Sequence, residues 1–117
     1  MNGQERRRHP RVMTDVPVRI VDASSEHPGR LRDICRDAAL VEAPMSWPIG
    51  AELSLKMALP GINDLVEVKG RVIRVAAADT GDHGFAVLFT DVTPVAGMRI
   101  DFFVAMQTEP GAPGRHP

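Results

Sequence analysis

The chain has 117 residues, of which 44% are apolar and only 4% aromatic, enough for one modest core built from aliphatic side chains. A formal net charge of −1 argues against a general polyanion binder, and a single cysteine rules out an internal disulfide. The four histidines are scattered without metal-ligand spacing, and no apolar run approaches the roughly 18 residues of a membrane span.

Taken in chain order, the opening Glu5-Arg6-Arg7-Arg8-His9-Pro10-Arg11 is polar and basic, without apolar periodicity. Residues 1–12 carry four arginines against Glu5 alone, while residues 37–117 hold six Lys/Arg against ten Asp/Glu. A mobile basic arm on a mildly acidic body is expected, suited to a small anionic ligand and not to a specific nucleic-acid duplex. Pro10 disfavours helix at His9 and keeps the approach to Arg11 extended.

Short strands follow, separated by turn residues. Val16–Val21 is the first, rich in β-branched side chains. Residues 24–29 read as a turn into a strand over Arg30–Cys35, and Ala39–Glu42 is a short strand closed by Pro44 and Pro48. Leu53, Leu55 and Met57 alternate with polar residues along 51–57. Pro60-Gly61 and Asn63-Asp64 turn the chain into a strand over Leu65–Val75, with Glu67, Lys69 and Arg71 facing out. The phase changes at Val72-Ile73, which predicts a bulge or barrel corner near Gly70. A turn over 80–84 leads to the strand Phe85–Phe89.

Thr93-Pro94 reads as an N-cap with proline at the first helical position. Val95, Met98, Phe102 and Met106 then recur at helical spacing, with Arg99 and Asp101 off that stripe. The expected fold is all-β with a C-terminal helix: a small antiparallel barrel whose open end or exposed edge the helix covers. Trp47, between two prolines, is expected to plug the barrel mouth. The expected division is a basic arm over 1–12, a barrel and helix over 13–107, and a disordered Pro/Gly-rich tail over 108–117.

Two clusters carry chemistry. Arg7 and Arg11 form Arg-x-x-x-Arg, with Arg8 beside them. An arginine fork can take a guanine edge or a phosphate in bidentate fashion, and its plane can stack on a purine. The second cluster, Asp33-x-Cys35-x-x-Ala38, starts 22 residues after Arg11. A carboxylate there can accept the paired N–H donors of a guanine. No catalytic triad order, glycine-rich loop opening a helix or paired carboxylates indicate an enzyme.

Together the clusters resemble the RxxxR and (D/N)xSxxG signatures of the PilZ domain family. The resemblance spans roughly residues 5–106, including Gly70-Arg71-Val72 and the Phe-Thr-Asp-Val stretch before the helix. It implies a six-stranded antiparallel PilZ-type β-barrel with a C-terminal helix, and cyclic di-GMP as ligand rather than any cofactor or metal. By resemblance, Arg7, Arg8, Arg11, Asp33, Cys35 and Ala38 would form the site. Cys35 stands where the family has serine, a weak S–H donor in place of a hydroxyl. Ala38 stands where it has glycine, and in a left-handed conformation would cost roughly 1–2 kcal/mol.

The resemblance implies a cytoplasmic receptor or adaptor acting on an effector protein, with motility regulation among the family's outputs. A degenerate domain that binds only protein is the alternative. The residues leave open whether the chain is monomer or dimer.

Overall fold

The computed structural model describes the backbone of residues 11–78 and 81–108 and the side chains of 12–78 and 81–107. Six strands follow in order: β1 (Arg11–Val21), β2 (Glu26–Cys35), β3 (Ala38–Ala43), β4 (Glu52–Met57), β5 (Val66–Ala77) and β6 (His83–Asp91). One helix, α1 (Pro94–Thr108), completes the chain. All strand pairs are antiparallel, and the order β1-β2-β3-β6-β5-β4 closes into a barrel through pairing of β4 with β1. This is the expected six-stranded barrel with a C-terminal helix.

Period-2 alternation decides what faces inward. Val16, Val18 and Ile20 of β1, Leu53, Leu55 and Met57 of β4, and Val66, Val68 and Val72 of β5 are buried. Phe85 and Val87 of β6 join them, with Leu31 and Ile34 of β2. At one end, Trp47 is buried edge-on against Phe85 and His27. Its indole N–H donates to Asp22 Oδ2 at 3.0 Å. The expected plug is present, and it is fastened by a carboxylate.

The expected corner near Gly70 is real: the β5–β6 register shifts between Lys69 and Gly70 and again between Val72 and Arg74. A Cβ on Gly70 would lie 2.5 Å from Val87 Cγ1 and 2.7 Å from the Leu88 carbonyl oxygen, so the close crossing requires glycine.

Three expectations need correction. β1 begins at Arg11, so the last two residues assigned to the arm belong to the barrel. The turn expected over 24–29 occupies only Asp22–Ser25, where Asp22 Oδ1 accepts the backbone N–H groups of Ser24 and Ser25, both at 2.9 Å. Pro28 and Gly29 are paired within β2, because the Asx-type turn closes before them. The helix extends through Thr108, one residue into the expected tail.

Packing decides which side of α1 faces the barrel. Thr93 caps it as expected, with its hydroxyl accepting the Ala96 N–H at 3.1 Å. The residues packed inward are Ala96, Ile100, Phe103 and Val104. The stripe Val95, Met98, Phe102 and Met106 faces away. Helical spacing alone could not choose, because apolar residues recur at that spacing on both faces.

Candidate functional site

The β1–β2 ladder sets the last residue of the first cluster beside the second. Arg11 lies opposite Cys35 and Met13 opposite Asp33, so the chain leaving the arginine cluster enters the barrel beside the second cluster. Arg7 and Arg8 lie outside the described residues, and for Arg11 only the backbone is described.

A bulge sets the direction of Asp33. Leu31 faces the core, and strict alternation would send Asp33 there too. Between Leu31 and Asp33 the β2–β3 register shifts by one residue. The shift turns Ile34 inward and Asp33 and Cys35 towards a concavity on the barrel wall. Asp33 is only 6% exposed and is not without an interaction partner.

The concavity is lined by Asp33, Cys35 and Ala38, with Ala39, Leu40, Ile73, Arg74 and Ala86 completing it. Its axis is a cross-strand row. Asp33 pairs with Leu40, Leu40 with Ala86, and Ala86 with Arg74, across β2, β3, β6 and β5. Three strand spacings of about 4.8 Å put the end backbones on the order of 14 Å apart. Leu40 and Ala86 form the floor between a carboxylate at one end and a guanidinium at the other, with Ala38 beside the row.

Arg74 is a candidate the sequence reading missed. Arg19, Arg30, Arg32, Arg36 and Arg99 are each held by an Asp or Glu. Arg71 and Arg74 make no such pair among the described residues, and of the two it is Arg74 that lines the concavity. The signal for it was cross-strand register, which no local motif carries.

Cys35 is half-buried and lines the concavity, so it is not the buried core residue that free cysteine commonly becomes. Ala38 corrects a second expectation. Among the described residues no non-glycine has a positive φ, so Ala38 opens β3 without left-handed strain. Here the methyl group acts only through the space it occupies.

Arg36 and Asp37 form the tight turn between β2 and β3. The Asp37 carbonyl accepts the Phe89 N–H at 2.8 Å, and Arg36 Nη1 lies 3.0 Å from Asp101 Oδ2 on α1. The turn between the two motif strands is therefore tied to both β6 and the helix. Outside the site, hydrogen bonds from Arg30 and the charge of Arg32 hold the Asp15 carboxyl below its usual range. The Lys56 ammonium does the same for Glu26 and is itself raised by it. No group of three or more His, Cys, Asp or Glu among the described residues could hold a metal ion. No described helix is long and apolar enough to cross a membrane.

No curated protein sequence matches the chain. Among solved structures, it superposes on the Bacillus subtilis inhibitor of motility MotI/DgrA with a TM-score of 0.74 at 16% identity, covering 86% of this chain and 51% of that one. The PilZ domain of YcgR from Escherichia coli, solved with c-di-GMP, gives a TM-score of 0.66 at 13% identity, covering 87% of this chain and 91% of that one. Borreliella burgdorferi PlzA, in complex with c-di-GMP, gives 0.65 at 15% identity, covering 87% of this chain and 42% of that one. The chain thus spans about half the length of MotI/DgrA and less of PlzA, and at these identities the likeness is one of fold. Residues 5–105, which include the whole barrel and both clusters, match the model of the PilZ domain, and the chain belongs to that family.

Proposed function

We propose that this PilZ domain is a cyclic di-GMP receptor module whose ligand lies over the concavity between Asp33 and Arg74. In this reading the arginine cluster over residues 1–12 closes over the ligand. The observation that supports it is the β1–β2 ladder, which pairs Arg11 with Cys35. Asp33 accepts the N1–H and N2–H of one guanine, while Arg7, Arg8 and Arg11 take phosphates and the opposite guanine edge. Cys35 and Ala38 form the wall. Arg74 adds a cation at the far end, where a second phosphate or purine edge would lie. Capture would order the arm and alter the surface offered to an effector protein, so the domain serves as an adaptor in the cytoplasm and not as an enzyme.

Calorimetric titration with cyclic di-GMP tests this reading. Saturable heat that is lost in Arg7→Ala/Arg11→Ala is expected, and no heat at several hundred micromolar ligand overturns it. One observation favours the second reading, a domain that has given up the nucleotide and binds only protein. The wall carries the Cys35 thiol where the family places a hydroxyl. Under that reading the titration is silent and stays silent after Cys35→Ser.

A further inference from the structure

We propose that the outward face of α1 is a self-association surface, on which a second copy of this chain docks helix to helix. A helix that is apolar all round is normally buried, and α1 is apolar on both sides. Its inner face is spent on the barrel through Ala96, Ile100, Phe103 and Val104. Its outer face still exposes Val95 at 51%, Met98 at 67%, Phe102 at 54% and Met106 at 37%. Leu65, 57% exposed, extends the patch across the groove it shares with Val95 and Arg99. Together these side chains leave roughly 500 Å² of apolar surface in water, near the upper end for a monomer. That matches the apolar share of the ~800 Å² that each partner of a standard interface buries.

Residues 1–10 and 109–117 contain one large aliphatic side chain between them, Met1. The patch also carries no charge of one sign that would select an oppositely charged partner. The charged residues of α1 are Arg99 and Asp101, which border the stripe on opposite edges. Each is tied to the barrel side, Arg99 to Asp64 at 3.1 Å and Asp101 to Arg36 at 3.0 Å.

A second copy fits this pattern, because a two-fold contact pairs a surface with itself. With the axis parallel to the helices, the Arg99 edge of one copy meets the Asp101 edge of the other. The two ion pairs then join into a four-charge rim around an apolar centre. With the helices antiparallel, like edges would meet, so charge selects the parallel arrangement.

Sedimentation equilibrium of the full chain from 5 to 500 μM, beside methyl-labelled methionine NMR over the same range, tests the proposal. The expected result is a mass rising from one chain to two, with the Met98 and Met106 methyl signals moving and that of buried Met57 still. Met98→Glu/Phe102→Glu should hold the mass at one chain with an unchanged melting temperature. A wild-type chain that stays monomeric throughout overturns the proposal. So does a dimer whose formation shifts Met13 or Met45 instead of the α1 methionines, a readout that needs no variant.

Discussion

Arg36 and Asp101 join the turn between the two motif strands to the helix, with Nη1 and Oδ2 3.0 Å apart. The guanidinium can lie against α1 because Gly97 has no side chain; a Cβ there would stand 3.2 Å from Nη2. Both partners are about half exposed, so the pair contributes about 0–1 kcal/mol. Arg36→Ala should therefore leave the melting temperature nearly unchanged. It should speed amide exchange in the first turns of α1, measured by hydrogen–deuterium exchange, since a local tether has gone. Uniform exchange rates across wild type and variant would show that the tether holds nothing.

The two departures from the family motif should not be equal. Cys35→Ser restores a hydroxyl that can donate to a phosphate, about 1.5–3 kcal/mol, or roughly tenfold or more in affinity for cyclic di-GMP. Ala38→Gly relieves no backbone strain, since Ala38 has an ordinary φ. It should loosen the start of β3 by about 0.5–1 kcal/mol and change affinity by less than the serine does. A larger gain from Ala38→Gly would place the obstacle in the methyl group.

Arg74→Ala should weaken cyclic di-GMP about tenfold, from the loss of charge-assisted hydrogen bonds, without lowering the melting temperature of this exposed position. Arg74→Lys should recover part of the affinity and less of any guanine preference, because an ammonium lacks the planar fork. Unchanged affinity in Arg74→Ala would confine the ligand to the Asp33 end.

Gly70→Ala should cost about 1–3 kcal/mol, because the new methyl meets Val87 and the Leu88 carbonyl at the barrel corner. Gly81→Ala makes a control of different origin. Its added carbon meets nothing within 4 Å, and its φ of +92° leaves only the left-handed penalty, about 1 kcal/mol. Urea midpoints of the two variants separate a clash from a conformational cost.

The Trp47 N–H, followed by the Ser25 and Ser24 amides, holds the Asp22 carboxyl far below its usual range. A carboxylate lowered on folding stabilises the fold fully above its unfolded value of about 3.9, and that stability is lost as pH falls towards the folded value. Asp22→Asn should thus be less stable than wild type at pH 7, with the gap closing below about pH 3. Trp47 is the chain's one tryptophan, so its fluorescence reports the transition at the site of the change. A gap that stays constant down to pH 2 would mean that geometry, not charge, is what Asp22 contributes.

The barrel was legible because its strands alternate cleanly, as at Leu53, Leu55 and Met57, and because Gly70 announced its own corner. The cap was legible in Thr93-Pro94. Two things were hidden, for different reasons. The inner face of α1 could not be read because Ala96, Ile100, Phe103 and Val104 repeat as well as the stripe opposite. Arg74 could not be read as a site residue because its tie to Asp33 runs through three cross-strand pairs, each between residues far apart in sequence. The direction of Asp33 belongs with it, since one bulged residue decides the face and no pattern in 31–35 encodes the slip.

Closure of the ring through β1 and β4 has a consequence for signalling. Where the ring closes, Val18–Val21 of β1 pair with Ser54–Met57 of β4, and that stretch leaves no row of unsatisfied main-chain donors and acceptors for an incoming peptide to extend. Along that closed stretch nothing can read this domain by strand addition. Whatever responds to that part of the wall must read side chains, and a change of state must be written in them to be noticed there.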